Sequence, residues 1–226
     1  MTDFVHMKIV ASLSDFSDAM EIRKKVFVDE QKLDSLKEFD GNDFGATHLL
    51  ACVNKKPVGT MRIRYFNGFV KFERICVLPE FRKSNVSEVM MQTAAEFCAL
   101  KGYQFVHGVC KKELLSRWAE VGAFPIKGAK EVTQNGMTLV PIEQRLPKTS
   151  KTISMTTPLD ILNRKEGEWF ENVDIMHSTE LGKKQQVKHF EKITEKVRSL
   201  KYEQNEKPID WNPPLRYDSI DIFRTR

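Results

Sequence analysis

The sequence predicts a mixed α/β domain, followed by a linker and a mainly helical extension. Three observations favour this fold class. Strand-like and helix-like segments alternate along residues 1–146. An Asn67–Gly68 pair between two β-rich runs is typical of a hairpin, and the chain becomes polar after residue 146. We therefore expect a domain at 1–146, a linker at 147–157 and a helical extension at 158–226.

The first half of the predicted domain contains a strand, a helix and a three-stranded meander. Met7–Ala11 is strand-like, and Ser14–Gln31 is helix-like with Ser14 or Asp15 as its cap. An acidic, irregular stretch with a DGND turn follows at Lys32–Ala46. The strands of the meander are expected at His48–Val53, Pro57–Tyr65 and Phe69–Leu78.

The second half of the domain alternates helices and strands. Ser87–Lys101 carries apolar residues at helical spacing and is closed by Gly102. The remaining elements are a strand at Gln104–Val109, a helix at Lys112–Val121 and a strand at Met137–Gln144. The resulting order, β-α-β-β-β-α-β-α-β, is that of a mixed sheet covered by helices.

The extension has a different pattern. Pro158–Phe170 has weak helical character, and Thr179–Glu203 has the spacing of an amphipathic helix with Ser178 or Thr179 as its cap. Apolar residues recur there at intervals of three and four, at Val187, Phe190, Ile193, Val197 and Leu200. This apolar face needs a partner, which is the first domain, a second copy of the chain in a homodimer, or another protein.

The composition limits the classes of function. Of 226 residues, 41% are hydrophobic and 30% are charged, as is typical of a globular protein. The sequence has no run of about 18 apolar residues, so no membrane span is expected, and a net charge of +5 is too small to indicate nucleic-acid binding. The polar start does not resemble a secretory signal, and the four cysteines lack CxxC pairing. We therefore expect a cytoplasmic protein with free thiols and no metal.

The segment from Glu73 to Ser87 is the most informative part of the sequence. A strand ends at a proline, a short loop carries Arg82 and Lys83, and a helix begins. The free backbone N–H groups and the dipole of such a helix N-terminus favour a bound pyrophosphate. The spacing alone fits equally well a plain strand-to-helix turn with two solvated bases.

This segment resembles the acyl-donor-binding motif of the GNAT superfamily of N-acyltransferases. Arg82 stands at the motif's first position, and Asn85 and Ser87 stand where the family has glycines. The resemblance extends in the same order to residues 22–31 (IRKKVFVDEQ), 39–51 (FDGNDFGATHLLA) and 118–124 (WAEVGAF).

The resemblance implies transfer of an acetyl or longer acyl group from a CoA thioester to a primary amine, in a fold with a splayed central sheet. The strand Phe69–Leu78 would diverge from Gln104–Val109, and the donor's pantetheine arm would lie between them. Its backbone partners would be Ile75, Cys76 and Val77. The implied donor loop comprises Arg82, Lys83, Ser84, Asn85, Val86 and Ser87.

Glu73 is the candidate general base. Members of the family often carry a catalytic carboxylate on this strand, and the parity of Glu73 matches that of Ile75 and Val77. The alternative is that Glu73 forms an ion pair with an arginine such as Arg62 or Arg64 across the hairpin.

Three departures from the family pattern support a second hypothesis. Asn85 and Ser87 replace glycines, and Trp118 replaces a tyrosine that often protonates the departing thiol. The alternative to an enzyme is therefore a catalytically silent GNAT fold that binds a donor or a protein. A third hypothesis is a scaffold whose C-terminal helices form the interface.

The chain also resembles long-chain N-acyl amino acid synthases and related autoinducer synthases. The matching pieces are Arg82–Ser84, Gly122–Ile126 and Asn135–Ile142. This resemblance implies acyl-ACP, the thioester of an acyl carrier protein, as an alternative donor. The mild positive charge of the chain would suit such an acidic partner.

Two further side chains are candidates for chemistry. Cys110 is interpreted as an apolar filler rather than as a site of covalent acylation. His107 is either an acid or base of the site or a hydrogen-bonded histidine of the core, and the second interpretation is preferred.

Overall fold

The computed structural model describes residues 3–120, 122–134, 136–169 and 178–182. The strands are β1 (Phe4–Ile9), β2 (Thr47–Val53), β3 (Lys56–Phe66), β4 (Phe69–Val77), β5 (Phe105–Lys111), β6 (Ala123–Pro125), β7 (Val132–Gln134), β8 (Met137–Arg145) and β9 (Ser178–Glu180). The α-helices are α1 (Leu13–Arg23), α2 (Ser35–Glu38), α3 (Val86–Leu100), α4 (Leu115–Glu120) and α5 (Leu159–Leu162).

These nine strands form one mixed sheet. Its spatial order is β6-β8-β5-β4-β3-β2-β1-β9, and β7 pairs with β8. The ladder between β4 and β5 is parallel, whereas the other ladders of the described strands are antiparallel. The predicted mixed α/β sheet is confirmed.

Helices cover both faces of the sheet. On one face, buried side chains of α3 such as Met90 and Phe97 pack on β1 to β4. On the other face, Ala19, Ile22 and Val26 pack on Leu50, Cys52, Cys76 and Leu78. Burial of these apolar side chains from water is the main force that holds the layers together. We call the two surfaces the α3 face and the α1 face.

The N-terminal helix differs from its prediction in start and regularity. Helix α1 begins at Leu13, and its cap is Ser12, whose side-chain oxygen accepts a hydrogen bond from the Asp15 N–H at 3.1 Å. Ser12 can do this because its backbone is extended, which turns its hydroxyl toward the free N–H groups of the first turn. A π-helix follows α1 at Lys24–Glu30.

Residues 147–169 pack on the first domain. The Ile153 N–H donates to the Leu100 carbonyl at 2.7 Å. Trp169 is 5% exposed and stacks on Phe97 with ring centroids 5.7 Å apart. In the described part of 158–170, the helix α5 covers only Leu159–Leu162.

The predicted cap of the second C-terminal helix is wrong. Ser178 and Thr179 lie in β9, which pairs antiparallel with β1 and gives the edge of the sheet hydrogen-bond partners. Residues 183–203 of the predicted helix lie outside the described residues. The sequence patterns also missed β6, β7 and β9, since three residues are too short to show periodicity. No helix within the described ranges is long and apolar enough to cross a membrane.

Candidate active site

The central feature of the site is a V-shaped gap in the sheet. The parallel ladder between β4 and β5 consists of Val70↔Val106 and Lys71↔His107. Strand β4 continues to Val77 and β5 continues to Lys111, but the ladder does not extend with them. Facing backbone groups above the last rung are therefore open to an extended ligand that pairs with a strand edge. The predicted splay of these two strands is confirmed.

A bulge in β4 decides which side chains share a face. The register between β3 and β4 shifts between Arg62↔Glu73 and Thr60↔Cys76, and Arg74 in this interval has a φ of 52°. Because the bulge adds a residue, the alternation of side chains is interrupted.

Glu73 and its neighbours therefore do not share the expected parity. Val77 belongs to the α3-face core, and Ile75 packs against that core, whereas Cys76 belongs to the α1-face cluster. Glu73 follows Phe72, which points to the α3 face, so Glu73 points to the α1 face. The prediction that Glu73 shares a face with Ile75 and Val77 is wrong.

Glu73 is held in two close ion pairs. Its Oε2 is 2.6 Å from Arg62 Nη2, and its Oε1 is 2.5 Å from Lys71 Nζ. Burial raises the pKa of Glu73, but the hydrogen bonds from Lys71 and Arg62 outweigh burial and the net pKa is lowered. The carboxylate is therefore ionised at neutral pH. The alternative pairing with Arg62 across the hairpin is present.

Arg62 connects Glu73 to a larger cluster of buried charges. Its guanidinium binds both oxygens of Asp40, at 2.7 and 2.8 Å, and donates to Asp43 Oδ1 at 2.9 Å. Asp43 also accepts from Arg23 Nη1 at 2.5 Å. We call the following seven residues the buried ion-pair cluster: Arg23, Glu38, Asp40, Asp43, Arg62, Glu73 and Arg74.

Apart from the Arg62–Glu73 pair, sequence patterns missed this cluster. Its members come from α1, α2, the DGND turn, β3 and β4, which are distant in sequence, so no local spacing brings them together. Arg23 and Arg62 are completely buried. A buried guanidinium needs several anionic partners to replace its lost water, which explains why four carboxylates converge here.

His107 lies at the last rung of the ladder, at the apex of the gap. Its Nδ1 is buried, and none of the described residues provides a hydrogen-bond partner. Burial and the charge of Lys71 lower the pKa of His107, so the imidazole is neutral at neutral pH. The preferred interpretation as a hydrogen-bonded core histidine does not fit its Nδ1. His48 has a hydrogen bond of this kind at its Nε2, which lies 3.0 Å from the Asp43 carbonyl, although its Nδ1 is likewise buried without a partner among the described residues.

The predicted donor loop lies at the C-terminal end of β4. A 3₁₀ turn at Pro79–Phe81 leads into the loop, which ends where α3 begins at Val86. Arg82 forms a bidentate ion pair with Glu30, at 2.6 and 2.5 Å, and donates from Nε to the Val77 carbonyl at 3.0 Å.

The rest of the loop is also partly fixed. The Ser84 hydroxyl donates to the Phe81 carbonyl at 2.5 Å, and the Lys83 side chain is exposed. Val86 is buried, so only its backbone is available to a ligand, while Ser87 is half-buried in the first turn of α3.

Asn85 does not require the backbone freedom of glycine. Its φ of −82° and ψ of 10° are accessible to any residue, so the departure from the family's glycine causes no strain. Its backbone and side chain are bound by residues 180–182.

Trp118 and Cys110 both pack among apolar side chains. Both belong to a small apolar cluster with Ala123, Ile142 and Leu115. Burial raises the pKa of the Cys110 thiol, which therefore stays protonated and is a poor nucleophile. These contacts agree with the interpretation of Cys110 as an apolar filler. Within the described ranges, no group of three or more potential metal-ligand side chains is positioned to hold an ion.

Comparisons with known proteins agree with this geometry. Residues 15–113 match the Acetyltransferase (GNAT) family. BSU40680 of Bacillus subtilis, named as an acetyltransferase, is 39% identical over 90 residues, which span 38% of this chain and 61% of that protein. The uncharacterized N-acetyltransferase YjcF of Bacillus subtilis is 34% identical over 95 residues, which span 41% of this chain and 68% of YjcF.

Solved structures share the fold. A Lactobacillus plantarum protein named as an N-acetyltransferase superposes with a TM-score of 0.59 at 18% identity, over 63% of this chain and 99% of that one. BjaI, a CoA-dependent acyl-homoserine lactone synthase, gives 0.55 at 16% identity, over 63% of this chain and 84% of BjaI. A splayed mixed sheet, a strand-loop-helix motif after β4 and the Bacillus subtilis relatives lead to one conclusion. The chain belongs to the GNAT family.

Proposed function

We propose that the protein is an N-acyltransferase that moves an acyl group from a CoA thioester to a primary amine. The observation that carries this proposal is the gap between β4 and β5, with the loop 82–87 and the N-terminus of α3 at its open end. A donor needs both features, because its pantetheine arm carries amides and its other end carries a pyrophosphate.

The proposed reaction requires little covalent chemistry from the protein. The pantetheine arm pairs with backbone groups of Ile75, Cys76 and Val77, which places the thioester in the gap. The amine nitrogen attacks the thioester carbonyl, the new C–N bond forms, and the C–S bond breaks. The thiolate is a good leaving group, so Trp118 need not act as an acid. The amine's proton passes to a general base.

Glu73 is the proposed base. Its carboxylate is ionised and lies on the α1 face beside the gap, where it also attracts a protonated amine. His107 is a second basic group near Glu73. It pairs with Lys71 on the last rung of the ladder, and Lys71 forms an ion pair with Glu73. The two candidates predict different pH profiles.

The donor and the alternative function are decided by the same experiment. Purified protein is mixed separately with acetyl-CoA, a long-chain acyl-CoA and an acyl carrier protein that bears the same acyl chain, and binding is measured by thermal shift. We expect CoA thioesters to raise the melting temperature. A shift with the carrier protein alone would assign acyl-ACP as donor. Binding without turnover, tested with a panel of amines, would assign the catalytically silent function.

The donor loop provides a direct test of the binding mode. Lys83→Glu reverses a charge while it leaves the Arg82–Glu30 pair intact, and Arg82→Glu with Lys83→Glu reverses both. We expect each reversal to weaken CoA binding by about 1.5–3 kcal/mol, because a charge-assisted contact to phosphate becomes repulsive. The affinity is measured by calorimetry.

The matched control is Lys130→Glu, the same charge change on an exposed lysine between β6 and β7. It changes the net charge of the protein without touching the loop, so CoA affinity should stay near that of the wild type. Equal losses in Lys83→Glu and Lys130→Glu would remove the loop from the donor site.

A further inference from the structure

A short C-terminal segment reaches the donor loop from the far edge of the sheet. Strand β9 pairs with β1 through Phe4↔Glu180, Val5↔Thr179 and His6↔Ser178. Beyond β9, the Leu181 N–H donates to the Asp3 carbonyl at 2.6 Å, and the Leu181 side chain packs against the α3-face core. Gly182 then lies against Asn85. We call residues 178–182 the docking segment.

Three hydrogen bonds join the docking segment to Asn85. The Asn85 backbone N–H donates to the Gly182 carbonyl at 3.0 Å. The Asn85 side chain donates from Nδ2 to the Glu180 carbonyl at 3.1 Å and accepts from the Gly182 N–H at 3.1 Å. The carboxamide of Asn85 therefore both donates to and accepts from the backbone of the segment, as a peptide group of a neighbouring strand does. The family's glycine at this position has no side chain with which to make two of these three bonds.

The bond to the Asn85 backbone conflicts with donor binding. This N–H belongs to the cap residue of the 15-residue helix α3, within the loop 82–87 that the pyrophosphate is proposed to occupy. A single N–H donates to one acceptor at a time, so the Gly182 carbonyl oxygen and a phosphate oxygen cannot both accept its hydrogen bond. Two oxygens that carry negative charge also repel each other at such a distance.

We propose that the docking segment competes with the phosphates of the acyl donor for Asn85, so that Asn85 sets the apparent donor affinity. This inference rests on the proposed function, since it assumes that the loop binds a CoA-type donor. The donor binds the fraction of molecules in which residues 180–182 have left Asn85. The apparent dissociation constant is then the intrinsic constant divided by that fraction. Residue 85 thereby links the C-terminal part of the chain to the active site.

The test uses full-length variants and CoA as the probe, with affinity measured by calorimetry. Leu181→Asp removes the apolar anchor of the docking segment, and Gly182→Pro removes the N–H that binds Asn85. We expect both to tighten CoA binding by about tenfold, the scale of one net hydrogen bond. Gly182→Ala is the matched control. An added Cβ would lie 3.7 Å from Asn85 Nδ2, an ordinary contact, so affinity should not change.

Double variants separate competition from a general effect on the loop. Asn85→Gly and Leu181→Asp remove the same interaction, so their effects on CoA affinity should not add. Ser87→Gly alters the same loop at a residue for which the described chain shows no hydrogen bond to the docking segment. Its effect should add to that of Leu181→Asp.

The outcomes distinguish the two proposals. If the wild type binds CoA and Leu181→Asp and Gly182→Pro bind it equally well or more weakly, competition is refuted and the proposed function stands. If neither the wild type nor any variant binds CoA or an acyl-CoA, the donor site itself is refuted, and the competition with it. Additive effects of Asn85→Gly and Leu181→Asp would also overturn the competition, because they would then act at separate places.

Discussion

Glu73→Gln is expected to lower turnover by about 10²–10⁴-fold, the usual contribution of a general base. Glutamine keeps the shape of the side chain and one acceptor oxygen for Arg62 and Lys71, but it cannot take a proton from the attacking amine. CoA affinity should change little, because Glu73 lies on the α1 face whereas the donor loop begins beyond Leu78. Turnover is measured with the amine that gives the highest rate with the wild type. Calorimetry with CoA and the melting temperature show that the variant is folded.

Comparison with His107→Gln decides which of the two residues is the general base. The pKa of Glu73 is lowered from 4.5, so a Glu73 base is already ionised between pH 5 and 7 and predicts no limb from the base in this range. The pKa of His107 is lowered from 6.5, so its imidazole becomes protonated only at a pH below 6.5. A His107 base therefore predicts a loss of activity as the pH falls through that range. A large loss in His107→Gln with near wild-type turnover in Glu73→Gln would assign the base to His107.

Arg62→Met is expected to destabilise the protein by about 3–5 kcal/mol, the cost of removing one partner from a buried ion pair. Asp43 and Glu73, whose side chains are 7% and 8% exposed, would each lose a hydrogen-bonded cation in a place where water does not replace it, and Asp40 would lose its bidentate partner. The free energy of unfolding is measured by urea denaturation. Arg64→Met is the matched control, because Arg64 is two residues away on β3, is partly exposed, and lies 3.9 Å from Glu73. It should cost less than about 1 kcal/mol. Equal costs would show that the buried ion-pair cluster is not a special source of stability.

The same cluster predicts how stability depends on pH. The pKa values of Asp40, Asp43 and Glu73 are lowered in the folded protein. In each case, hydrogen bonds to cations lower the pKa by more than burial raises it. A lowered pKa contributes stability above the unfolded value, and this contribution is lost as the pH falls through the folded value. For these groups the unfolded values are 3.8 and 4.5, so their contribution to stability should be lost on acidification below about pH 5. Burial raises the pKa of Glu38, which therefore contributes in the opposite direction.

Arg62→Met should weaken this pH dependence. Without Arg62, Asp43 keeps Arg23 and Glu73 keeps Lys71, so the pKa values of these carboxyl groups are lowered less than in the wild type, and less stability is lost on acidification. The difference in unfolding free energy between wild type and variant should therefore shrink as the pH is lowered from 7 to 4. A constant difference across this range would mean that the carboxylates gain other partners in the variant.

The sequence by itself determined the order of the longer elements and the family. The bounds of β2, β3, β4 and α3 differ from the predictions by at most one residue, because each lies in a run whose apolar spacing is long enough to show its period. The loop after β4 was identified from a strand, a proline, two bases and a helix in succession. All of these signals lie within a few consecutive residues, so they can be read directly from the sequence.

The tertiary structure decided which side chains act together. A single bulged residue, Arg74, moved Glu73 to the face opposite Ile75 and Val77, and no propensity predicts one added residue in a strand. Contacts between Arg62, Asp40 and Asp43, and between Asn85 and residues 180–182, join positions that are far apart in the chain. Periodicity cannot report such contacts, because they depend on how the sheet brings its edges and faces together. The sequence therefore determined where the proposed donor loop is, whereas only the folded chain decided what holds Glu73 and what occupies Asn85.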